Sequence, residues 1–266
     1  MSTPEEATWL AFDRVSRCYT ATVSGSAVRH LALGVTTLRV RRGEWVAVIG
    51  AGAGPLTLLR CAVGLVRPDT GRVRWLDDAG RDVVPPRVAM IHAGQSPYGC
   101  WSVRDALWAA ASSRTAVGRA ERRVEQALRC CGLGAVADRL VAELEMLDRW
   151  RVSVAAAVAG GARWLLLELP PSASSLASDR EAPSSASHAS LRRMAASLAA
   201  LGIGATIAAA GAVPFPLHRR LVLDELTVNG EGSADPVTAL ARVAEAGESA
   251  WEPRPGTGVA SPPWQV

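Results

Sequence analysis

Arg42-Gly43-Glu44-Trp45-Val46-Ala47-Val48-Ile49-Gly50-Ala51-Gly52-Ala53-Gly54-Pro55-Leu56-Thr57 is the stretch that decides the fold. Trp45 to Ile49 is a near-continuous apolar run, as a strand buried on both faces requires. A glycine-rich turn follows, then the apolar run Leu58-Leu59-Arg60-Cys61-Ala62-Val63-Gly64-Leu65. Pro55 suits the first turn of a helix, where a missing N–H costs nothing. Strand, glycine turn and helix in this order outline a phosphate-cradling loop, whose lysine normally reaches the β- and γ-phosphates. Here no lysine is available, because all 29 basic side chains of the Lys+Arg count are arginine.

Outward from this unit, short strands are expected at Trp9–Phe12, near Val15–Tyr19 and at Thr37–Val40. Further strands are expected at Val73–Leu76 and Val88–Ile91, with a turn at Arg67-Pro68-Asp69-Thr70-Gly71. The period then becomes helical, with helices over about Val103–Ala111, Arg119–Cys131 and Leu147–Val158. Trp164–Leu167 reads as a fully buried strand and residues 172–190, rich in Ser and Ala, as a loop. Leu191–Leu201 is expected to be helical, with strands at Ala205–Ala210 and Leu221–Leu223. The tail over residues 246–266 is Gly/Pro-rich and expected to be disordered.

The five cysteines form no C-x-x-C pair and the four histidines no ligand spacing, so a disulfide framework or zinc site is not expected. No apolar run of about 18–20 residues indicates a membrane span, and the N-terminal residues, without a basic region and an apolar core, are not expected to act as a signal peptide. The net charge is +4. Its arginines fall in dispersed clusters, Arg39/Arg41/Arg42, Arg122-Arg123, Arg192-Arg193 and Arg219-Arg220, which read as solvated faces rather than a nucleic-acid surface.

Two stretches carry a resemblance. The first is Arg42–Gly50 followed by Thr57-Leu58-Leu59-Arg60, Val63-Gly64-Leu65 and Pro68-Asp69-Thr70-Gly71-Arg72-Val73. The second is Arg151-Val152-Ser153-Val154-Ala155, then Trp164-Leu165-Leu166-Leu167-Glu168-Leu169-Pro170. In order and spacing the chain resembles the ATP-binding subunit of an ABC transporter over about residues 9–232. The resemblance implies an α/β fold: a P-loop NTPase-like three-layer core, a small N-terminal antiparallel β subdomain and an inserted helical subdomain. It implies one ATP-binding domain over residues 1–245, with the helical subdomain over about 98–158. It also implies ATP and Mg as ligands and a membrane permease and a second ATP-binding subunit as partners. The implied location is cytoplasmic, peripheral on the inner face of the membrane.

At the catalytic positions the chain departs from the family. The loop is one residue short. Aligned from the helix side, Pro55 replaces the lysine and Leu56 the metal-binding hydroxyl, with Thr57 on the next threonine. Aligned from the strand side, Leu56 replaces the lysine and Thr57 is the metal ligand. The candidate nucleotide-binding residues are Gly50, Gly52, Gly54, Pro55, Leu56, Thr57 and Tyr19, the last where an aromatic stacks on adenine. Thr57 and Glu168, the latter at the Walker B aspartate, are the candidate metal ligands. Leu169 stands where the general base belongs and can neither accept a proton nor orient water. The switch histidine falls at about Gly211, the D-loop aspartate at Ser175, and the sensing glutamine at Ala93, two residues from Gln95. The signature motif falls on Leu144-Glu145-Met146-Leu147-Asp148, without its serine and glycines. The expectation is therefore a hydrolysis-deficient subunit with weak or absent ATP and Mg binding. Two alternatives stay open: an active ATPase with non-standard motifs, and a dinucleotide-binding enzyme using Gly50-Ala51-Gly52, whose fingerprint would need glycine where Pro55 stands.

Overall fold

The structure, a computed structural model, describes residues 8–23, 26–94, 98–113, 115–170, 185–210, 213–215, 217–223 and 242–245. Two sheets organise it. A three-stranded antiparallel sheet has the order β2-β1-β4, with β1 Trp9–Val23, β2 Ser26–Arg41 and β4 Thr70–Leu76. A six-stranded sheet has the order β5-β6-β7-β3-β8-β9. Its members are β3 Trp45–Ile49, β5 Val88–Ile91, β6 Trp164–Glu168, β7 Gly204–Ala209, β8 Arg219–Val222 and β9 Arg242–Glu245. All its pairings are parallel except β8–β9. The helices are α1 Gly54–Ala62, α2 Val103–Ser112, α3 Val117–Cys131, α4 Met146–Ala159 and α5 Ser185–Ala200.

The period-2 alternation of the central strands divides the core in two. Val46, Val48, Trp164, Leu166, Ala208 and Leu221 face α1 and the small sheet, where they pack with Leu58, Leu59, Leu10 and Phe12. Trp45, Ala47, Leu165, Leu167, Ala205 and Ile207 face the other way and pack with residues of α2 to α5. This is the expected three-layer α/β arrangement. β3 and β6 share one sheet, separated only by β7.

Several boundaries differ from the sequence reading. The separate N-terminal strands are two long ones, because β1 continues through an irregularity where a turn was expected. Register shifts occur between Phe12 and Val15 and again around Arg17, and Arg14 adopts φ 52°. A bulge lets a strand keep pairing past such a residue. The expected loop over 172–190 is helical from Ser185, where alanines extend α5 toward its N-terminus. β9 went unread, and the tail over 246–266 lies outside the described residues. Arg219 is not a free surface charge: its Nε lies 2.5 Å from Glu44 Oε1. Among the described residues no helix is long and apolar enough to cross a membrane.

Candidate functional site

The glycine loop connects the C-terminal end of β3 to α1. The Gly50 N–H donates to the Ala209 carbonyl at 3.1 Å, tying the loop to β7. Gly52 has φ 74°, a left-handed conformation that glycine adopts without strain. A side chain at Gly54 would place its Cβ 2.9 Å from the Ala32 carbonyl oxygen, so only glycine fits between α1 and β2. Gly50 and Gly52 therefore lie in the loop, and Gly54, Pro55, Leu56 and Thr57 form the first turn of α1. Pro55 sits in the first turn of α1 and contributes no N–H.

Thr57 is 1% exposed. Its hydroxyl oxygen lies 3.5 Å from that of Tyr19, which reaches across from β1. The Tyr19 ring is in turn capped by the Arg17 guanidinium, 5.0 Å from its centroid, a cation–π arrangement. Arg17 is fixed by Asp69, whose Oδ1 lies 2.5 Å from Arg17 Nη1 and whose Oδ2 accepts from the Cys18 N–H at 2.7 Å.

The two expected metal ligands have different partners. Glu168 ends β6, and its Oε2 lies 3.2 Å from His92 Nδ1 and accepts from the Ala93 N–H at 3.2 Å. His92 directly follows β5, so parallel pairing of β5 with β6 brings the two side chains to the same edge. Sequence reasoning missed His92, although it adjoins the position where the family has its glutamine.

Leu169 turns away from solvent. It is 5% exposed, its N–H donates to the Ala208 carbonyl at 2.9 Å, and it belongs to the cluster that contains Trp150 and Phe215. Trp150 and Phe215 stack at 6.4 Å, and Trp150 Nε1 donates to the Glu168 carbonyl at 3.0 Å. Gly211, Ser175 and Gln95 lie outside the described residues.

At the signature position, Glu145 is the exposed N-cap residue of α4 and Leu144 is buried. Asp148 is engaged: its Oδ1 accepts from Arg151 Nη1 at 2.7 Å. The buried Arg151 also donates to the Cys131 carbonyl and, at 3.1 Å, to that of Gly132, the last turn and cap of α3. A guanidinium on these carbonyls satisfies groups that a helix end leaves open. Arg151 thus anchors α4 to α3, and Asp148 holds and neutralises its guanidinium. Burial pushes the neighbouring Cys131 thiol up to about 12, which makes it an inert packing group.

Beside His92 lies a cleft of about 930 Å³ between β5 and α4. Tyr98, Met146 and Trp150 line it. Burial pushes the Tyr98 hydroxyl's pKa up. Trp101 and Leu140, exposed by 46% and 44%, adjoin lining residues: the N–H of Val141, which lines the cleft, donates to the Trp101 carbonyl.

A mostly parallel sheet with a glycine loop between β3 and α1, a small antiparallel sheet and a helical insertion define a P-loop NTPase-type nucleotide-binding fold. Residues 33–170, just over half of the chain, match the ABC transporter family, and the chain belongs to that family. It is 38% identical over 140 residues to the cytochrome c biogenesis ATP-binding export protein CcmA of Bordetella parapertussis, covering 50% of this chain and 61% of that one. It is 36% identical over 186 residues to the methionine import ATP-binding protein MetN of Cereibacter sphaeroides, covering 64% of this chain and 50% of that one. The chain thus spans only 50–61% of the length of these two relatives. Among solved structures it is similar to cbiO1 from Clostridium perfringens, part of the ABC transporter complex cbiONQ. That match has a TM-score of 0.61 and 20% identity, over 82% of this chain and 85% of that one. Family membership implies ATP and Mg as ligands and removes the dinucleotide-enzyme alternative.

Proposed function

We propose that this chain is an ABC-type ATP-binding subunit that does not turn over ATP and serves as a structural or regulatory partner of a membrane permease. The observation that carries the reading is Leu169, which stands at the general-base position and is buried in the hydrophobic core. A buried alkyl group cannot activate water. The residues also fit a bound Mg–triphosphate poorly. The loop offers no cation, Thr57 is buried against Tyr19, and Glu168 Oε2 is held by His92 and Ala93. Removal of one transition-state electrostatic group typically costs about 10²–10³ in rate. Here several are replaced, and because such losses are not additive the sum is bounded by negligible residual catalysis.

The partner reading rests on the cleft between β5 and α4. A short cytoplasmic helix of the permease would seat there, with Trp101 as an aromatic anchor beside it. In the family a second ATP-binding subunit completes each site by facing a loop with a signature. In this chain both elements are altered, so a shared interface with an active subunit has no ordinary hydrolytic site. A peripheral position on the cytoplasmic face of the membrane follows from the permease partnership.

One observation favours the second reading, an active ATPase. His92 and Glu168 form an imidazole–carboxylate pair next to the expected metal position, and such a pair can act as a base. Measurement of phosphate release by the purified chain with Mg-ATP decides between the two. Turnover no higher than that of a control lacking the Gly50–Thr57 loop fits a silent subunit. Turnover near 1 s⁻¹ or above, within the ordinary enzyme range, that His92→Ala abolishes would establish the second reading.

A further inference from the structure

The cleft between β5 and α4 has a one-sided charge. Its lining carries two guanidinium groups, Arg87 and Arg149, and no carboxylate, while His92, also in the lining, is paired with Glu168 behind it. At the end beside Gly160 and Gly161 two guanidinium groups converge. A Cβ built on Gly161 would lie 2.9 Å from Arg87 Nη1 and 3.3 Å from Arg123 Nη1. Among the described residues, Arg87, Arg123 and Arg149 take part in no ion pair. Arg87 does donate to the Gly160 carbonyl at the C-terminal cap of α4, which accounts for one of its five N–H groups. It accounts for neither Arg123 nor Arg149. Like charges held together repel, and a folded chain keeps them so where an opposite charge arrives from outside.

We propose that the occupant of this cleft is a helical segment of the partner that carries carboxylates at both ends of the cleft, one facing Arg87 and Arg123, the other facing Arg149. This rests on the permease-docking reading above and specifies the chemistry of what docks. Arg149 and Gly160 are eleven positions apart on or next to α4, about 16 Å at 1.5 Å rise per residue. A helix lying along α4 would meet both sites with acidic residues about eleven positions apart. Between them, Ser153, Ala156 and Ala157 present small side chains that let a helix backbone approach. Met146 and Trp150 supply the apolar contact.

The test uses the full chain and two synthetic 18-residue helix-forming peptides with the same apolar stripe. One carries glutamates eleven positions apart; its twin carries lysines there. Fluorescence anisotropy is expected to show the acidic peptide binding about tenfold more tightly at low salt, with the preference shrinking as salt rises. Arg87→Glu with Arg123→Glu should invert the preference, and the milder pair Arg87→Gln with Arg123→Gln should bring it near parity if the first variant fails to fold. Equal binding of both peptides, or a preference that these substitutions leave unchanged, overturns the charge assignment and leaves the docking site standing. Binding of neither peptide at millimolar concentration removes the cleft as a helix-docking site, and both readings fall together.

Discussion

Replacing Arg151 with methionine should cost the fold about 3 kcal/mol. The side chain is 9% exposed. It joins Asp148 on α4, at 2.7 Å, to the Cys131 and Gly132 carbonyls at the end of α3. Methionine keeps much of the aliphatic volume, so lost packing is a small part of the effect. Hydrogen bonds to charged groups are worth about 1.5–3 kcal/mol each, and removal of one partner of a buried pair costs about 3–5 kcal/mol. Asp148 is 35% exposed, so water takes over part of its solvation and places the loss at the lower end of that range. Asp148→Asn, which keeps the side-chain oxygen as an acceptor, should cost only about 1 kcal/mol. With a stability on the order of 5–15 kcal/mol, the Arg151 variant should remain folded but melt roughly 6–12 °C lower, at about 2–4 °C per kcal/mol. Urea titration with tryptophan fluorescence measures the difference directly. A loss below about 1 kcal/mol for Arg151→Met, or an equal loss for Asp148→Asn, would refute the view that this part of the former signature motif has become an anchor between two helices.

Trp101→Ala should weaken co-purification with the permease and leave the melting temperature within about a degree, because the side chain is 46% exposed and surface changes cost little; unchanged association refutes the anchor. Gly71→Ala should cost more than about 2 kcal/mol, since the residue has φ 70° and a Cβ there would sit 2.2 Å from the Asp13 carbonyl oxygen; a variant as stable as the parent in urea contradicts the geometry. His218 is the third case. Burial lowers its pKa from the usual 6.5, and its Nδ1 accepts from the Trp45 N–H at 3.0 Å. The unfolded chain therefore takes up this proton first as pH falls, so the stabilisation is complete above about pH 6.5 and is lost as pH drops toward the folded-state value. His218→Asn, which retains an acceptor, should flatten that acid-side decline in a series of urea titrations, and an unaltered slope would exclude His218 as its source.

The framework was legible because it is written in local patterns. Trp45 to Ile49 and Trp164 to Leu167 are short apolar runs suited to a sheet buried on both faces, and the glycines at 50, 52 and 54 mark the turn between strand and helix. The helices of the insertion were readable from their period to within a few residues. What escaped was decided by distant partners. Arg14 lies between two expected short strands, yet pairing with β2 and β4 carries β1 past it. His92 and Glu168 are 76 positions apart, and only the β5–β6 register joins them. Nothing in the signature stretch itself shows that Asp148 is held by a partner. Its neutralisation by Arg151 could have been suspected from the three-residue spacing, but the α3 carbonyls that complete the cluster could not.

The place of β3 in its sheet has a consequence for how the chain is made. Its flanking strands are β7 and β8, and Trp45 Nε1 finds its acceptor at Ile203, 158 positions later. At about 5–20 residues per second, roughly 8–30 s of synthesis separate the emergence of Trp45-Val46-Ala47-Val48-Ile49 from the arrival of either neighbour. During that interval one of the most aggregation-prone segments of the sequence, apolar and uncharged, has both edges open. The nucleotide loop, however altered its chemistry, is thus shaped only when the last third of the protein appears, and expression yield should respond to chaperone supply more than the folded state's stability would suggest.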